Sequence, residues 1–200
     1  MLRLGFLASH GGTSMRAIFQ AIEAGGLDAH AVVVISNNAD AAALEFARER
    51  GMRAEHISRS TSGSDEAADA AIRAALIGAG ADVVVLSGYL RMIGPLTLEQ
   101  FRGRILNVHP ALLPKYGGKG MYGRFVHEAV IAAGETLSGA SVHVVDEVYD
   151  HGPVLSQKAV EVRADDTPET LAARVMAIEG PLFVQTLREI AARGGVALPD

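Results

Sequence analysis

Strand-like apolar runs alternate with helical patterns through the first half of the chain, and this order constrains the fold more than any other feature. One run, ADVVVL at residues 81–86, is apolar without alternation, as expected of a strand covered on both faces. The order predicts an α/β fold, a doubly wound, mostly parallel, Rossmann-like sheet with helices on both faces. The predicted strands are residues 2–8, 30–35, 53–57 and 81–86, and the predicted helices are residues 15–22, 39–50 and 65–78.

The second half of the chain is less regular. It is predicted to hold a strand at 104–108, a helix at 125–133, and two alternating segments at 140–145 and 154–162 that are typical of a hairpin at a sheet edge. A C-terminal long helix is predicted from Thr167 to about Arg193. It is expected to break at Gly180 and Pro181, because proline lacks the N–H that an interior helical position requires. Without repeats or linkers, residues 1–200 are expected to form a single domain.

Composition narrows the classes of function. A formal net charge of −5 argues against nucleic acid as the main partner. The absence of cysteine excludes disulfides, thiolate zinc sites and cysteine nucleophiles. No apolar stretch approaches the roughly 18 residues of a membrane span. The short apolar N-terminus is interpreted as a strand and not as a signal peptide, so we expect a cytoplasmic protein with no membrane partner.

Four segments that follow predicted strands gather glycine, histidine and carboxylates, namely residues 9–14, 88–93, 107–116 and 146–153. Ligands of an open parallel sheet bind beyond the carboxyl ends of its strands, where these segments are expected. The first segment has two interpretations. Its glycines and the following helix N-terminus suit a phosphate, but a plain strand-to-helix turn also needs glycine. It matches neither a P-loop nor a GxGxxG dinucleotide pattern.

Asn107 and His109 are two residues apart on a predicted strand that Pro110 ends. Residues at this spacing point to the same side, so the amide and the imidazole are expected to project together. Such a pair of donors suits a developing oxyanion. The alternative is an edge histidine that makes only a backbone hydrogen bond.

Asp146, Glu147 and Asp150 place three carboxylates within five residues. One of them beside His109 would orient its ring and favour its charged form, but spacing does not choose among the three. A metal site is the competing interpretation, with His143, His151, Asp146 and Glu147 as ligands. Their spacing matches no standard ligand pattern, so no metal is expected.

Three longer segments together resemble the folate-dependent formyltransferases, and the resemblance covers nearly the whole chain. The segments are residues 107–116 (NVHPALLPKY), residues 81–93 (ADVVVLSGYLRMI) and residues 141–154 (SVHVVDEVYDHGPV). The chain is most similar to the branch that formylates glycinamide ribonucleotide in purine synthesis. The resemblance implies small-molecule substrates, with 10-formyltetrahydrofolate as co-substrate, no metal, no nucleic acid, and a monomer or homodimer.

The resemblance also implies a role for individual residues. It assigns catalysis to Asn107, His109 and Asp150, and recognition of the glycinamide end to Glu179. Residues 1–100 become the phosphate-binding half and residues 101–200 the catalytic and folate-binding half. The implied phosphate ligands are Gly12, Thr13 and Ser14, and the implied folate ligands are Leu90, Arg91, Met92, Ile93, Asn107, Asp146, Glu147 and Asp150.

In the implied reaction the substrate amine attacks the formyl carbon, and a tetrahedral oxyanion forms. Asn107 and protonated His109 stabilise it, at about 3 kcal/mol per good donor. Asp150 keeps His109 charged and helps to move a proton from the amine to the leaving folate nitrogen.

Three positions depart from the pattern of many relatives. Residues 117–123 replace a Pro-Gly followed by two histidines, Asp65 stands where some members carry an arginine, and Met176 stands where some carry glutamine. The rival functions are formyltetrahydrofolate hydrolase, methionyl-tRNA formyltransferase and a non-catalytic phosphate or folate module. Both rival enzymes normally carry a further domain, and the complete set of Asn107, His109 and Asp150 disfavours the module.

Overall fold

The computed structural model describes residues 1–196, so positions 197–200 of the predicted domain lie outside the described residues. Strands and helices alternate from the first residues, as the apolar pattern predicts. The strands are β1 (Leu2–Leu7), β2 (Ala29–Ser36), β3 (Ala54–His56), β4 (Val83–Leu86), β5 (Ile105–His109), β6 (Leu137–Val144) and β7 (Val154–Glu161). The helices are α1 (Thr13–Glu23), α2 (Ala42–Glu49), α3 (Arg59–Ser62), α4 (Asp65–Gly78), α5 (Pro95–Gln100), α6 (Arg124–Ala132) and α7 (Pro168–Arg193).

All seven strands form one sheet with the order β3-β2-β1-β4-β5-β6-β7. The pairs among β1 to β5 are parallel, whereas β6 is antiparallel to β5 and β7 to β6. The predicted doubly wound, mostly parallel α/β fold with a C-terminal hairpin and long helix is therefore confirmed.

Each face of the sheet has its own apolar core. Phe6 and Leu106 point into the first core, which α1, α2, α6 and α7 cover. Leu7 and Ile105 point into the second, which α4 covers with the help of the segment around α5. Neighbouring strand residues thus supply opposite cores, which explains why the parallel strands are apolar without alternation.

The short helix α5 is held by a buried carboxylate from α4. Asp69 accepts hydrogen bonds from the backbone N–H groups of Leu96 (2.8 Å) and Thr97 (3.1 Å), as an N-cap residue would. A Cβ atom at Gly94 would overlap the Asp69 carboxylate, so this approach requires glycine. Neither α5 nor α3 was predicted, because elements of six and four residues carry almost no periodic signal.

The predicted break at Gly180 and Pro181 is wrong, because α7 continues through both residues. The helix packs against α1, β6 and β7 along its length. At Gly180 the approach of α1 is so close that a Cβ atom would lie 2.7 Å from the Ala17 Cβ. This packing holds the helix together across the one hydrogen bond that Pro181 cannot donate.

Within residues 1–196, no helix is both long enough and apolar enough to cross a membrane.

Candidate active site

Asn107 and His109 lie on the same face of β5 as Ile105, since alternate residues of a strand share a face. Ile105 belongs to the core under α4. Farther along the strand, the segments that reach over this face are two loops, residues 110–118 and residues 146–153. Asn107 and His109 therefore lie where loops, and no longer helices, cover this face of the sheet.

Residues 146–153 do not lie beyond the carboxyl ends of the parallel strands, and that expectation was wrong. Because β6 runs antiparallel to β5, the loop leaves the sheet beside the amino end of β5, where Val145 N–H donates to the Ile105 carbonyl at 2.8 Å. It then folds back over the face of the sheet, which brings Asp150 to His109.

His109 is only 3% exposed, and both of its ring nitrogens face protein acceptors. Nε2 donates to the Tyr116 carbonyl at 2.7 Å, and Nδ1 lies 3.4 Å from Asp150 Oδ2. A carbonyl can only accept, so Nε2 carries a proton, and the Asp150 carboxylate lies beside Nδ1. His109 is therefore held at both ring nitrogens by the two loops that cover this face of the sheet.

Asp150 is the one of the three loop carboxylates that lies beside His109. Its Oδ2 also accepts the Gly118 N–H at 3.0 Å, and its backbone has a positive φ of 54°. Glu147 instead lies 3.5 Å from Arg102 at the outer end of the loop. Asp146 accepts the Val148 N–H at 2.8 Å within the loop. Among the three carboxylates of this loop, the structure therefore distinguishes Asp150 as the neighbour of His109.

His143 is a site residue that the sequence suggested only as a metal ligand. It lies opposite Asn107 in the β5–β6 pair, and Asn107 Nδ2 donates to its Nε2 at 3.2 Å. Its Nδ1 donates to the Val144 carbonyl at 3.1 Å, which leaves the Nε2 lone pair free to accept. Burial lowers the pKa of His143, which favours the neutral ring that this acceptor role needs. Asp150 Oδ1 lies 3.5 Å from the same nitrogen.

The residues of the alternative metal site do not converge. His143 faces Asn107 and Asp150, while the exposed His151 lies 3.4 Å from Asp146. In the described part of the chain, no group of three or more histidine or carboxylate side chains could hold a metal ion.

A polar network around the buried Ser141 fixes the loop that follows His109. Ser141 accepts the Leu113 N–H at 3.0 Å and donates to the Ala111 carbonyl at 2.6 Å. Gln157 donates to the Leu113 carbonyl at 2.9 Å and to Ser141 Oγ at 2.8 Å. Neither Ser141 nor Gln157 was identified from the sequence, because their roles depend on how three strands align.

The glycine loop between β1 and α1 presents free amides. Gly12 adopts the left-handed conformation (φ 64°), and a Cβ there would lie 3.1 Å from Met15 Cε and 3.3 Å from Ala43 Cβ. Within residues 1–196, the N–H groups of Gly12, Thr13 and Ser14 donate to no protein acceptor, whereas the next amide, that of Met15, donates to Ser87 Oγ at 2.9 Å. Three free amides at a helix N-terminus can bind an anion by donating hydrogen bonds to it.

Two asparagines and a serine couple this loop to the segment after β4. Ser9 Oγ accepts the Leu90 N–H at 2.8 Å and donates to Asn37 Oδ1 at 2.6 Å. Asn38 Nδ2 donates to the Ser9 carbonyl at 2.6 Å. Asn37 and Asn38 follow β2 directly, and the sequence does not identify them as site residues because no glycine or histidine stands in that loop.

The segment implied to bind folate is divided between surface and core. Leu90 and Met92 are each 62% exposed, and Arg91 is exposed as well. Ile93 is buried in the core under α4, so it supports the segment from below. Large apolar side chains that are exposed together are typical of a ligand-binding surface.

Glu179 lies on α7 where that helix contacts α1. Burial raises the pKa of its carboxyl to about 6. A carboxylate kept in a desolvated position without a salt bridge, within the described residues, is typical of a functional group. Met176, on the same helix, is exposed.

Two of the three places where the sequence departs from many relatives, residues 117–123 and Asp65, have structural roles. Gly118, Gly120 and Gly123 all have positive φ values, so the loop requires these glycines. Asp65 lies 3.3 Å from Arg59 in an exposed ion pair.

A family model described as formyl transferase matches residues 2–187, and the chain therefore belongs to the formyl transferase family. The resemblance stated from the sequence is confirmed.

Relatives and solved structures agree with this membership. The chain is 39% identical to phosphoribosylglycinamide formyltransferase, chloroplastic, of Arabidopsis thaliana, over 94% of this chain and 65% of that protein. It is 35% identical to phosphoribosylglycinamide formyltransferase of Escherichia coli strain K12, over 88% of this chain and 81% of that protein. Glycinamide ribonucleotide transformylase 1 from Symbiobacterium toebii superimposes with a TM-score of 0.89 at 35% identity, covering 100% of this chain and 95% of the other.

The chain spans about two thirds or less of the length of its plant relatives, 65% for Arabidopsis thaliana and 60% for Vigna unguiculata.

Proposed function

We propose that the chain transfers the formyl group of 10-formyltetrahydrofolate to the amine of N1-(5-phospho-D-ribosyl)glycinamide in de novo purine (IMP) biosynthesis. The observation that carries the proposal is the buried cluster in which Asp150 lies beside His109 and His143 accepts from Asn107. Relatives named for this reaction support the choice of substrate.

In the proposed reaction the nitrogen of the substrate amine attacks the formyl carbon, and the carbonyl double bond becomes a C–O⁻ single bond. Asn107 and the imidazolium of His109 donate to this oxyanion. The oxyanion then reforms the carbonyl as the bond to the folate nitrogen breaks. Asp150 assists the transfer of one proton from the attacking amine to that leaving nitrogen, so protons balance without a metal.

The remaining roles follow the two halves of the proposed single domain. In residues 1–100, the amides of Gly12, Thr13 and Ser14 bind the substrate phosphate. The folate lies between two segments, one from each half. These are the exposed segment formed by Leu90, Arg91 and Met92, which Ile93 supports, and the loop that carries Asp146, Glu147 and Asp150. Glu179 recognises the glycinamide end of the substrate.

A turnover assay with both substrates tests the proposal. We expect formylated product and tetrahydrofolate to appear in equal amounts. Release of formate without formylated product would instead identify a hydrolase. Binding of either ligand without turnover would identify a non-catalytic module.

Replacing Gly12 with valine is expected to raise the KM for the phosphorylated substrate at least about tenfold and to leave folate affinity nearly unchanged. Valine is strained at positive φ, and its Cβ would press on Met15 and Ala43, so the free amides move. Steady-state kinetics and the Kd of a folate analogue measure the two effects. Gly25→Val is the matched control, because Gly25 has a similar φ of 68° but faces open space. Equal weakening of both ligands by Gly12→Val would contradict the assignment.

Substrate binding is expected to depend on pH through Glu179. Its pKa is raised to about 6, so the carboxyl is neutral below that pH and charged above it. The KM for the substrate amine should therefore rise as the pH falls through about 6. Glu179→Gln should raise KM at neutral pH and remove this step from a profile measured between about pH 5 and 8. A step that persists in Glu179→Gln would assign the titration to another group.

We also propose that the protein acts on small molecules in the cytoplasm as a monomer or homodimer, without nucleic acid or membrane. The net charge of −5 supports the exclusion of nucleic acid. The plant relatives are named chloroplastic, so cell fractionation is the appropriate test of compartment.

A further inference from the structure

Arg16 lies in the first turn of α1, at the helix end where a cation is least favourable because the helix dipole is positive there. Its guanidinium makes three contacts. Nε donates to the Gly11 carbonyl at 2.8 Å, a terminal nitrogen donates to the Ala42 carbonyl at 3.1 Å, and Cζ lies 4.5 Å from the centre of the Phe46 ring.

The bond to Gly11 determines the direction of the following amide. The Gly11–Gly12 peptide is trans, so its C=O and N–H groups point in opposite directions. Since Arg16 holds the carbonyl on its own side, the Gly12 N–H is turned the other way, where it has no protein acceptor within residues 1–196. One side chain therefore sets the orientation of the first amide of the glycine loop.

The stacking fixes Arg16 itself. Phe46 packs edge-to-face on Phe19 with ring centres 5.4 Å apart, and Arg50 lies 3.7 Å from the Phe46 ring centre. The Ala43 N–H also donates to the His10 carbonyl at 3.0 Å, so α2 holds the loop at a second point. The guanidinium is thus confined between α1, α2 and the loop, with little rotamer entropy left to lose.

We propose that Arg16 is a positioning residue for the substrate phosphate. It orients the Gly12 amide toward the anion, and its charge offsets part of the phosphate's double negative charge. The proposal rests on the function proposed above, and it assigns this work to a residue that does not itself touch the ligand.

Arg16→Gln is expected to raise the KM for the phosphorylated substrate about tenfold or more and to leave kcat within about twofold. The same variant should leave kcat/KM unchanged for glycinamide riboside, which lacks the phosphate. Arg16→Lys should have a KM between those of wild type and Arg16→Gln, because lysine keeps the charge but cannot make two divergent hydrogen bonds while stacked. The Lys variant also retains the long aliphatic stem, so it reports on Arg16 even if Arg16→Gln fails to fold.

Arg50→Gln is the matched control, since Arg50 stacks on the same ring without bonding to the loop. It should lower the melting temperature about as much as Arg16→Gln but leave KM unchanged. The proposal is overturned if Arg16→Gln leaves KM unaltered, or if Arg50→Gln raises KM equally, which would make the cluster merely structural.

Calorimetry with ribose 5-phosphate separates this proposal from the proposed function. If wild type shows no formyl transfer but binds this probe, and Arg16→Gln loses the binding, the function fails and the role of Arg16 stands. If wild type transfers formyl groups and Arg16→Gln behaves as wild type, only the Arg16 role fails. If wild type neither reacts nor binds the probe, both fail.

Discussion

Asp150→Asn is expected to lower kcat by about 10² or more, the usual scale for the loss of acid–base assistance. The variant keeps the shape of the side chain and its acceptor for the Gly118 N–H but removes the charge 3.4 Å from His109 Nδ1. Without that charge no carboxylate faces His109 Nδ1, and none remains to help move the proton. Substrate and folate affinities should change far less, because the lost interaction belongs mainly to the transition state.

Single-turnover kinetics and the Kd of a folate analogue measure these two effects separately. His109→Ala should be at least as damaging, and the double variant should lose much less than the sum of the two losses, since the residues act as a unit. Near-normal kcat in Asp150→Asn would transfer the role to Asp146 or Glu147, and additive losses would mean that the two residues act independently.

Asn107→Asp is expected to lower kcat by about 10² to 10³, the range found when one oxyanion donor is removed. The two side chains have the same shape, but aspartate replaces the N–H donor with an oxygen. It also places a negative charge where the oxyanion would form, in a site that already contains Asp150. His143 loses the donor that faces its Nε2 at 3.2 Å and is left opposite a carboxylate.

Asn107→Ala separates the two causes, since it removes the donor without adding charge. It should be slower than wild type but faster than Asn107→Asp, and both variants should retain a folded far-UV spectrum. Equal rates in the two variants would show that charge near the oxyanion is unimportant, and wild-type rates would remove Asn107 from the reaction.

Much of the fold is available from local patterns, because a strand or helix of eight or more residues shows its period within a single window. The helix Asp65–Gly78 is predicted with its observed bounds, and in the structure Ser64 caps its N-terminus. By contrast, α2 begins at Ala42 and not at residue 39, since residues 37–41 form the polar turn that contains Asn37 and Asn38. The continuity of α7 through Pro181 depends on its packing, which no local pattern reveals.

The residues of the candidate site likewise divide into those that local spacing predicts and those that depend on contacts between distant parts of the chain. The pairing of Asn107 with His109 follows from their spacing on one strand. The pairing of Asn107 with His143 depends on the β5–β6 register between residues 36 positions apart, so spacing along the chain could not reveal it. Asp150 could be selected only by resemblance, because its approach to His109 requires a loop that folds back from the far end of the strand. Arg16 and Asp69 were missed because each acts on backbone groups of another element.

In the free protein the Tyr116 carbonyl occupies the position of the ligand oxygen that would accept a hydrogen bond from His109 Nε2. Any ligand oxygen that accepts a hydrogen bond from Nε2 replaces a peptide carbonyl and not bulk water, so Nε2 makes one hydrogen bond before and after the exchange. Tyr116 has a positive φ of 58°, a conformation that costs a non-glycine residue roughly 1–2 kcal/mol, so the free protein spends backbone strain on holding this carbonyl in place. The Nε2–H of His109 is thus aligned and shielded from water in the free protein. A ligand oxygen binds there only in competition with the Tyr116 carbonyl.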